Sequence, residues 1–144
     1  MAMPATAPNA EALARIRDDG GPLRALRYVL FDGSPTFVVG VILEFDTLTA
    51  TILAEPNYDE ILVRLTPYEP GPDERVVTGG SKSPWHGAFG LGVRWAWQMT
   101  NQQGYTDGLR FEFGDPDDSE RSRTVELLVV ASQIKLFVAR ATTP

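Results

Sequence analysis

The residues able to do chemistry are few in this 144-residue chain. His86 is the only histidine and there is no cysteine. Disulfides, thiolate metal ligands and thiol nucleophiles are therefore absent, and one chain cannot build a multi-histidine metal centre. A single imidazole is suited to general base work near neutral pH. The run Ser83-Pro84-Trp85-His86, however, matches no nucleophile–base motif, so no catalytic residue is assigned. Asp115, Asp117, Asp118 and Glu120 crowd one turn. They lack the glycine and distal glutamate of the twelve-residue calcium loop and read as a solvated hairpin turn. Gly87-x-x-Gly90-x-Gly92 precedes a strand pattern rather than a helix, and no lysine follows. That is not a phosphate cradle. Glu44 with Asp46, and Asp59 with Glu60, fall at strand ends with no substrate cleft beside them. The expectation is no cofactor, no metal and a leaning away from enzyme chemistry.

Recognition chemistry is better represented. The segment Asn101-Gln102-Gln103-Gly104-Tyr105-Thr106-Asp107-Gly108 is rich in amides. Amides both donate and accept, so they either satisfy neighbouring backbone or read a partner. On the local reading, Asn101 and Asp107 bond their own backbone and the glycines supply positive φ. On the functional reading, Asn101, Gln102, Gln103, Tyr105 and Asp107 form a partner-binding tip, because loops bear function disproportionately. Trp85 and His86, with Tyr105, are the candidates for a small-molecule pocket.

These residues need elements to hold them. Apolar residues alternate at Val93, Trp95, Trp97 and Met99, and again at Leu109, Phe111 and Phe113. The pattern predicts a hairpin over residues 93–113 with the amide segment at its bend. Large aromatics at strand period are usually core, so both indoles are expected inward. The other reading is an exposed aromatic platform. Earlier in the chain, Asn9 is placed as the cap of a short helix over residues 10–18, ended by Gly20-Gly21-Pro22. Residues 1–8 are expected to be disordered. The helix is expected to cover an edge or mouth of a sheet.

Strand patterns then run through Leu26–Phe31, Thr36–Phe45, Leu48–Ala54 and Glu60–Leu65, as an antiparallel meander. Thr36–Phe45 is apolar on both faces and suits a sheet centre. Prolines and glycines break residues 66–84 into a long loop, with a short strand at Arg75–Val77. Thr124–Ala131 and Gln133–Arg140 close the chain, with a bulge or tight turn at Ser132. The expected fold is mainly β, α+β only by its short N-terminal helix. About seven or eight strands form a curved antiparallel sheet, a sandwich or a partly open barrel. One domain spans residues 1–144.

The hairpin carries a resemblance. The pattern W-x-W-x-x-T-N-Q-Q-G-Y-x-D-G-L, an alternating F-x-F strand, then V-x-L-x-V-x-A-S-x-I-x-x-F resembles an uncharacterised family of small bacterial proteins. The matching residues are Trp95, Trp97, Thr100 to Tyr105, Asp107 to Leu109, Phe111 and Phe113. Val125, Leu127, Val129, Ala131, Ser132, Ile134 and Phe137 continue the match. The likeness covers the last third of the chain well and the first half as a strand pattern. It implies a domain of unknown function and no activity. In size and acidity the chain also resembles immunity or accessory proteins of bacterial toxin systems, which is analogy.

Charge bounds the partners. The formal net charge is −6 at pH 7, which opposes general affinity for nucleic acid. No apolar run approaches the roughly 20 residues of a membrane helix, and the N-terminus lacks a basic start and apolar core of a secretory signal. A cytoplasmic location is expected. The functional expectation is a non-enzymatic protein-binding module, of the immunity-inhibitor type. The alternatives are a small-molecule binder or weak enzyme near Trp85, His86 and Tyr105, and an oligomeric structural subunit.

Overall fold

The structure, a computed structural model, describes residues 6–32, 34, 36–55, 59–79, 84–115 and 117–139. It opens with helix α1, Thr6–Asp19. Asn9, Ala12, Leu13 and Ile16 recur at i, i+3, i+4 and i+7, and all four are buried. The helix starts four residues before the expected Ala10, and Asn9 is not its cap. The reason lies across the fold, on strand β4 (Glu60–Arg64). The Asn9 amide donates through Nδ2 to the Ile61 carbonyl at 2.8 Å, and its Oδ1 accepts the Val63 N–H at 2.9 Å. A side chain here fills the hydrogen-bonding position of a missing neighbour strand, so a buried polar group is satisfied at the sheet edge. The helix stops at Gly20, whose N–H reaches the Ile16 carbonyl. Gly21 then takes φ 74° and Pro22 follows, a glycine-then-proline stop.

Nine strands follow. β1 (Leu23–Phe31), β2 (Val38–Phe45), β3 (Thr49–Glu55) and β4 form a meander, and β5 (Glu74–Thr78) adds to the free side of β1. The order is β4-β3-β2-β1-β5, so β2 is central, as its two apolar faces suggest. β6 (Gly92–Thr100), β7 (Thr106–Asp115), β8 (Asp118–Val130) and β9 (Gln133–Ala139) form a second meander in sequence order. Every pairing is antiparallel. The mainly-β expectation holds, as two sheets not closed into a barrel. The count exceeds the expected seven or eight by one, and β5 stands where a short strand was expected, at Arg75–Val77 within the long loop. Ahead of it, the Glu74 carboxylate accepts from the Gly71 N–H at 2.9 Å and from the Tyr68 hydroxyl. Burial and that adjacent carboxylate push the Tyr68 phenol up from its ordinary range.

The core lies between the sheets. Leu26, Val41, Leu43, Ile52 and Ile61 come from one side, and Leu109, Phe111, Phe113, Val125 and Leu127 from the other. Each set alternates with outward residues along its strands, the period-two logic of a sandwich. α1 contacts both β4 and β6 and so fills one flank between the sheets.

Candidate functional site

The hairpin β6–β7 is where the sequence placed it, but its face is not. Val93 pairs with Phe113, and Trp95 pairs with Glu112, so one extra residue on β6, Arg94, intervenes. A bulge of this kind moves every later side chain to the opposite face. Val93 stays in the core at 5 % exposure, whereas Trp95 is 52 % and Trp97 44 % exposed. The expectation that the indoles point inward is therefore corrected. Ala96 packs instead toward the core, and Ala96 and Gln98 line a small cavity against α1. A sequence signal for this exists on the neighbouring strand. Gly114 and Gly108 leave the outward face of β7 open: a Cβ at Gly114 would strike the Arg94 guanidinium, and one at Gly108 would strike Met99 and Leu128. Two glycines on one face of a strand are sites for long neighbours to lie over.

The tip follows from Asn101. Its Oδ1 accepts the N–H groups of Gln103 at 2.9 Å and Tyr105 at 3.2 Å, and its Nδ2 donates to Asp107 Oδ2 at 3.3 Å. Its own N–H and carbonyl close the turn with the Tyr105 carbonyl and the Gly104 N–H. Gly104 takes φ 87°, which glycine allows without strain. Asn101, Tyr105 and Asp107 are half-buried, and Gln102 and Gln103 are exposed. The five candidate residues thus divide: Asn101 and Asp107 build the turn through their side chains, Tyr105 joins it through its backbone, and the two glutamine side chains project from it.

The other candidates lie elsewhere. Trp85 is fully buried, edge-on to Phe113 with ring centroids 6.2 Å apart. Its indole N–H makes no hydrogen bond of standard geometry, yet it moderates the upward shift that burial imposes on the Tyr28 hydroxyl. His86 is exposed, and its carbonyl accepts from Arg123 Nε, which pins this segment to β8. Trp85 and His86 precede the start of β6, and Tyr105 follows its end. Nine strand residues at about 3.4 Å each keep them apart. A cleft of about 400 Å3 does open near the start of β6, lined by Arg17, Pro22, Leu91, Val93, Arg94 and Asp115 among others, without Trp85, His86 or Tyr105. Among the described residues no group of histidine and acidic side chains is arranged to hold a metal, and no helix is long and apolar enough to cross a membrane.

A family model matches residues 16–143, a range that includes the hairpin and the strands beside it. The chain belongs to DUF6334, a family of unknown function. No curated protein and no solved structure matches it. The DUF6334 region takes in both sheets, the tip and the last turn of α1, so the resemblance drawn from the W-x-W hairpin is upheld at the level of family. Asn9, whose amide completes the β4 edge, lies ahead of the DUF6334 match.

Sequence reasoning held the exposed platform at Trp95 and Trp97 only as the other reading, and missed the residues beside them on this face. Arg110 lies 5.5 Å over the Trp97 ring and 3.5 Å from Glu126, while Phe137 on β9 is 47 % exposed. The bulge that turns the indoles outward could not be read from alternation, because the alternation itself is unbroken.

Proposed function

We propose that this chain is a non-enzymatic protein-binding module whose recognition element is the β6–β7 tip, acting in the manner of an immunity-type inhibitor. The observation that supports it is the division of labour at the bend. Asn101 fixes the backbone through its own side chain, and the Gln102 and Gln103 amides are left in solvent on a rigid base. Pre-organised polar groups bind with little ordering cost. The net charge of −6 steers a basic partner toward the module. The same tip on a purely structural hairpin would need no side chains beyond those of Asn101 and Asp107.

The test is a comparison of wild type with the variant carrying Gln102→Ala and Gln103→Ala. Each is used as bait against extracts of the native host, and each is co-expressed with any toxin encoded beside it. A basic partner that is retained and neutralised by wild type and lost by the variant, at unchanged melting temperature, supports the reading. Equal retention by both removes the tip from recognition. A lowered melting temperature in the variant makes the amides structural.

A further inference from the structure

The outward face of the second sheet is laid out in rows by the strand register. Met99, Gly108, Leu128 and Lys135 form one row across β6, β7, β8 and β9. Trp97, Arg110, Glu126 and Phe137 form the next. Among the described residues, four of the five exposed large hydrophobics stand on this face: Trp95, Trp97, Val130 and Phe137. The outward face of the first sheet differs, for its Val29 and Ile42 are already covered by their neighbours, at 0 % and 3 % exposure. Exposed aromatics gathered on one sheet face mark an interaction surface rather than ordinary scatter.

The order within the row identifies the occupant. Read from β6 to β9 it runs aromatic, base, acid, aromatic. Reversed, it offers each group its complement. We propose that this face binds a second copy of the chain, the two sheets packing face to face about a two-fold axis parallel to the strands and midway between β7 and β8. That operation sets β6 against β9 and β7 against β8 of the partner subunit while keeping each row in place. Trp97 then meets Phe137 of the partner subunit, and Arg110 meets Glu126 of the partner subunit. Gly108, with no side chain, lies opposite Leu128 of the partner subunit. Arg110 and Glu126 are already 3.5 Å apart within one chain, so the dimer makes a square of four alternating charges. An isologous interface requires this kind of self-complementarity.

Charge balance agrees. The described charged side chains of the face are Arg94, Arg110 and Lys135 against Glu112 and Glu126, so the surface is close to neutral. The acidity of the chain lies elsewhere and does not set the two copies against each other here. The axis also leaves both β6–β7 tips at the same end of the dimer, displayed as a pair. The dimer itself does not depend on the tip having a partner.

The experiment is sedimentation velocity on the full chain from about 1 to 100 μM, with Arg110→Glu, Glu126→Arg and Trp97→Ala. Dimer is expected for wild type. Each single charge reversal should raise the dissociation constant at least tenfold, since like charges then face each other twice. Mixing the two charge-reversal proteins should restore a heterodimer of wild-type strength, although neither chain has its own ion pair repaired. Trp97→Ala should weaken association through lost aromatic contact, with no charge changed. Circular dichroism and thermal melting establish that all three variants are folded, as expected for half-exposed positions. A wild type that stays monomeric at the highest concentration overturns the proposal. So does a dimer indifferent to all three substitutions, or a mixture that fails to associate.

Discussion

Trp85 lies ten and twelve residues before the pair Trp95 and Trp97 in the chain, and the two belong to opposite environments. Trp85 is sealed in the core against Phe113, and the pair stands in solvent on the far side of the same sheet. Residue type and local composition do not separate them. Backbone geometry does: a single bulge residue, Arg94, reverses the face between Val93 and Trp95. A buried indole contributes to folding, whereas an exposed one contributes little until something covers it.

Substitutions at the core indole and at the outward pair press on that contrast, with one at the tip between them in size and one at an ion pair away from it. Trp85→Ala should show the largest effect, a loss of about 3–5 kcal/mol in denaturant unfolding, from the cavity left against Phe113. Trp85→Phe should lose much less, because it keeps most of the ring packing against Phe113. Asn101→Ala comes next, at about 1–2 kcal/mol, since two turn N–H groups lose their acceptor. Trp95→Ala and Trp97→Ala should each cost less than about 1 kcal/mol when unfolding is measured at protein concentrations low enough to be monomeric. A core-sized loss there would mean that the indoles are not outward. Fluorescence offers the same comparison without mutation. Trp85 should resist acrylamide quenching, and the pair should be quenched in the monomer.

The smallest effect concerns Arg24 and Asp46, an exposed ion pair linking β1 to the β2–β3 turn. The Arg24 guanidinium, by hydrogen bonding, holds the Asp46 carboxyl below its ordinary value of 3.8. A carboxyl depressed in the folded state stabilises fully above that value, and the contribution is lost as pH falls through the folded pKa. Asp46→Asn should therefore melt slightly below wild type at pH 7, and the difference should vanish in acid, as read by melting temperature against pH.

How far the chain could be read without coordinates is settled by which interactions are local. Period-two alternation located the hairpin, the β1–β4 meander and the last two strands, because one buried face per strand forces that pattern. The central place of β2 followed from its two apolar faces. The register of β6 was not legible, because a bulge adds one residue without disturbing the run of large apolar side chains. The role of Asn9 was hidden for a different reason. Its partners, Ile61 and Val63, are more than fifty residues away, and an asparagine near a helix start is ordinarily a cap. At the tip, Asn101 was read both as turn-former and as partner-binder. The geometry gives it the first role, while the exposure of Gln102 and Gln103 keeps the second open for them. At the other hairpin, Ala131 and Ser132 both take positive φ, making a two-residue turn out of residues that rarely do so. The Asp59 carboxylate on the Ser132 N–H, another long-range contact, holds it there.

Strand β4 ends its sheet with a carbonyl and an amide that a carboxamide from α1 satisfies. The arrangement works as a latch against polymerisation. Lift the helix, and the bared strand becomes a template on which another molecule's chain can zip itself, the first step toward fibres. Shortening this protein from its front end would thus trade a folded molecule for a seed.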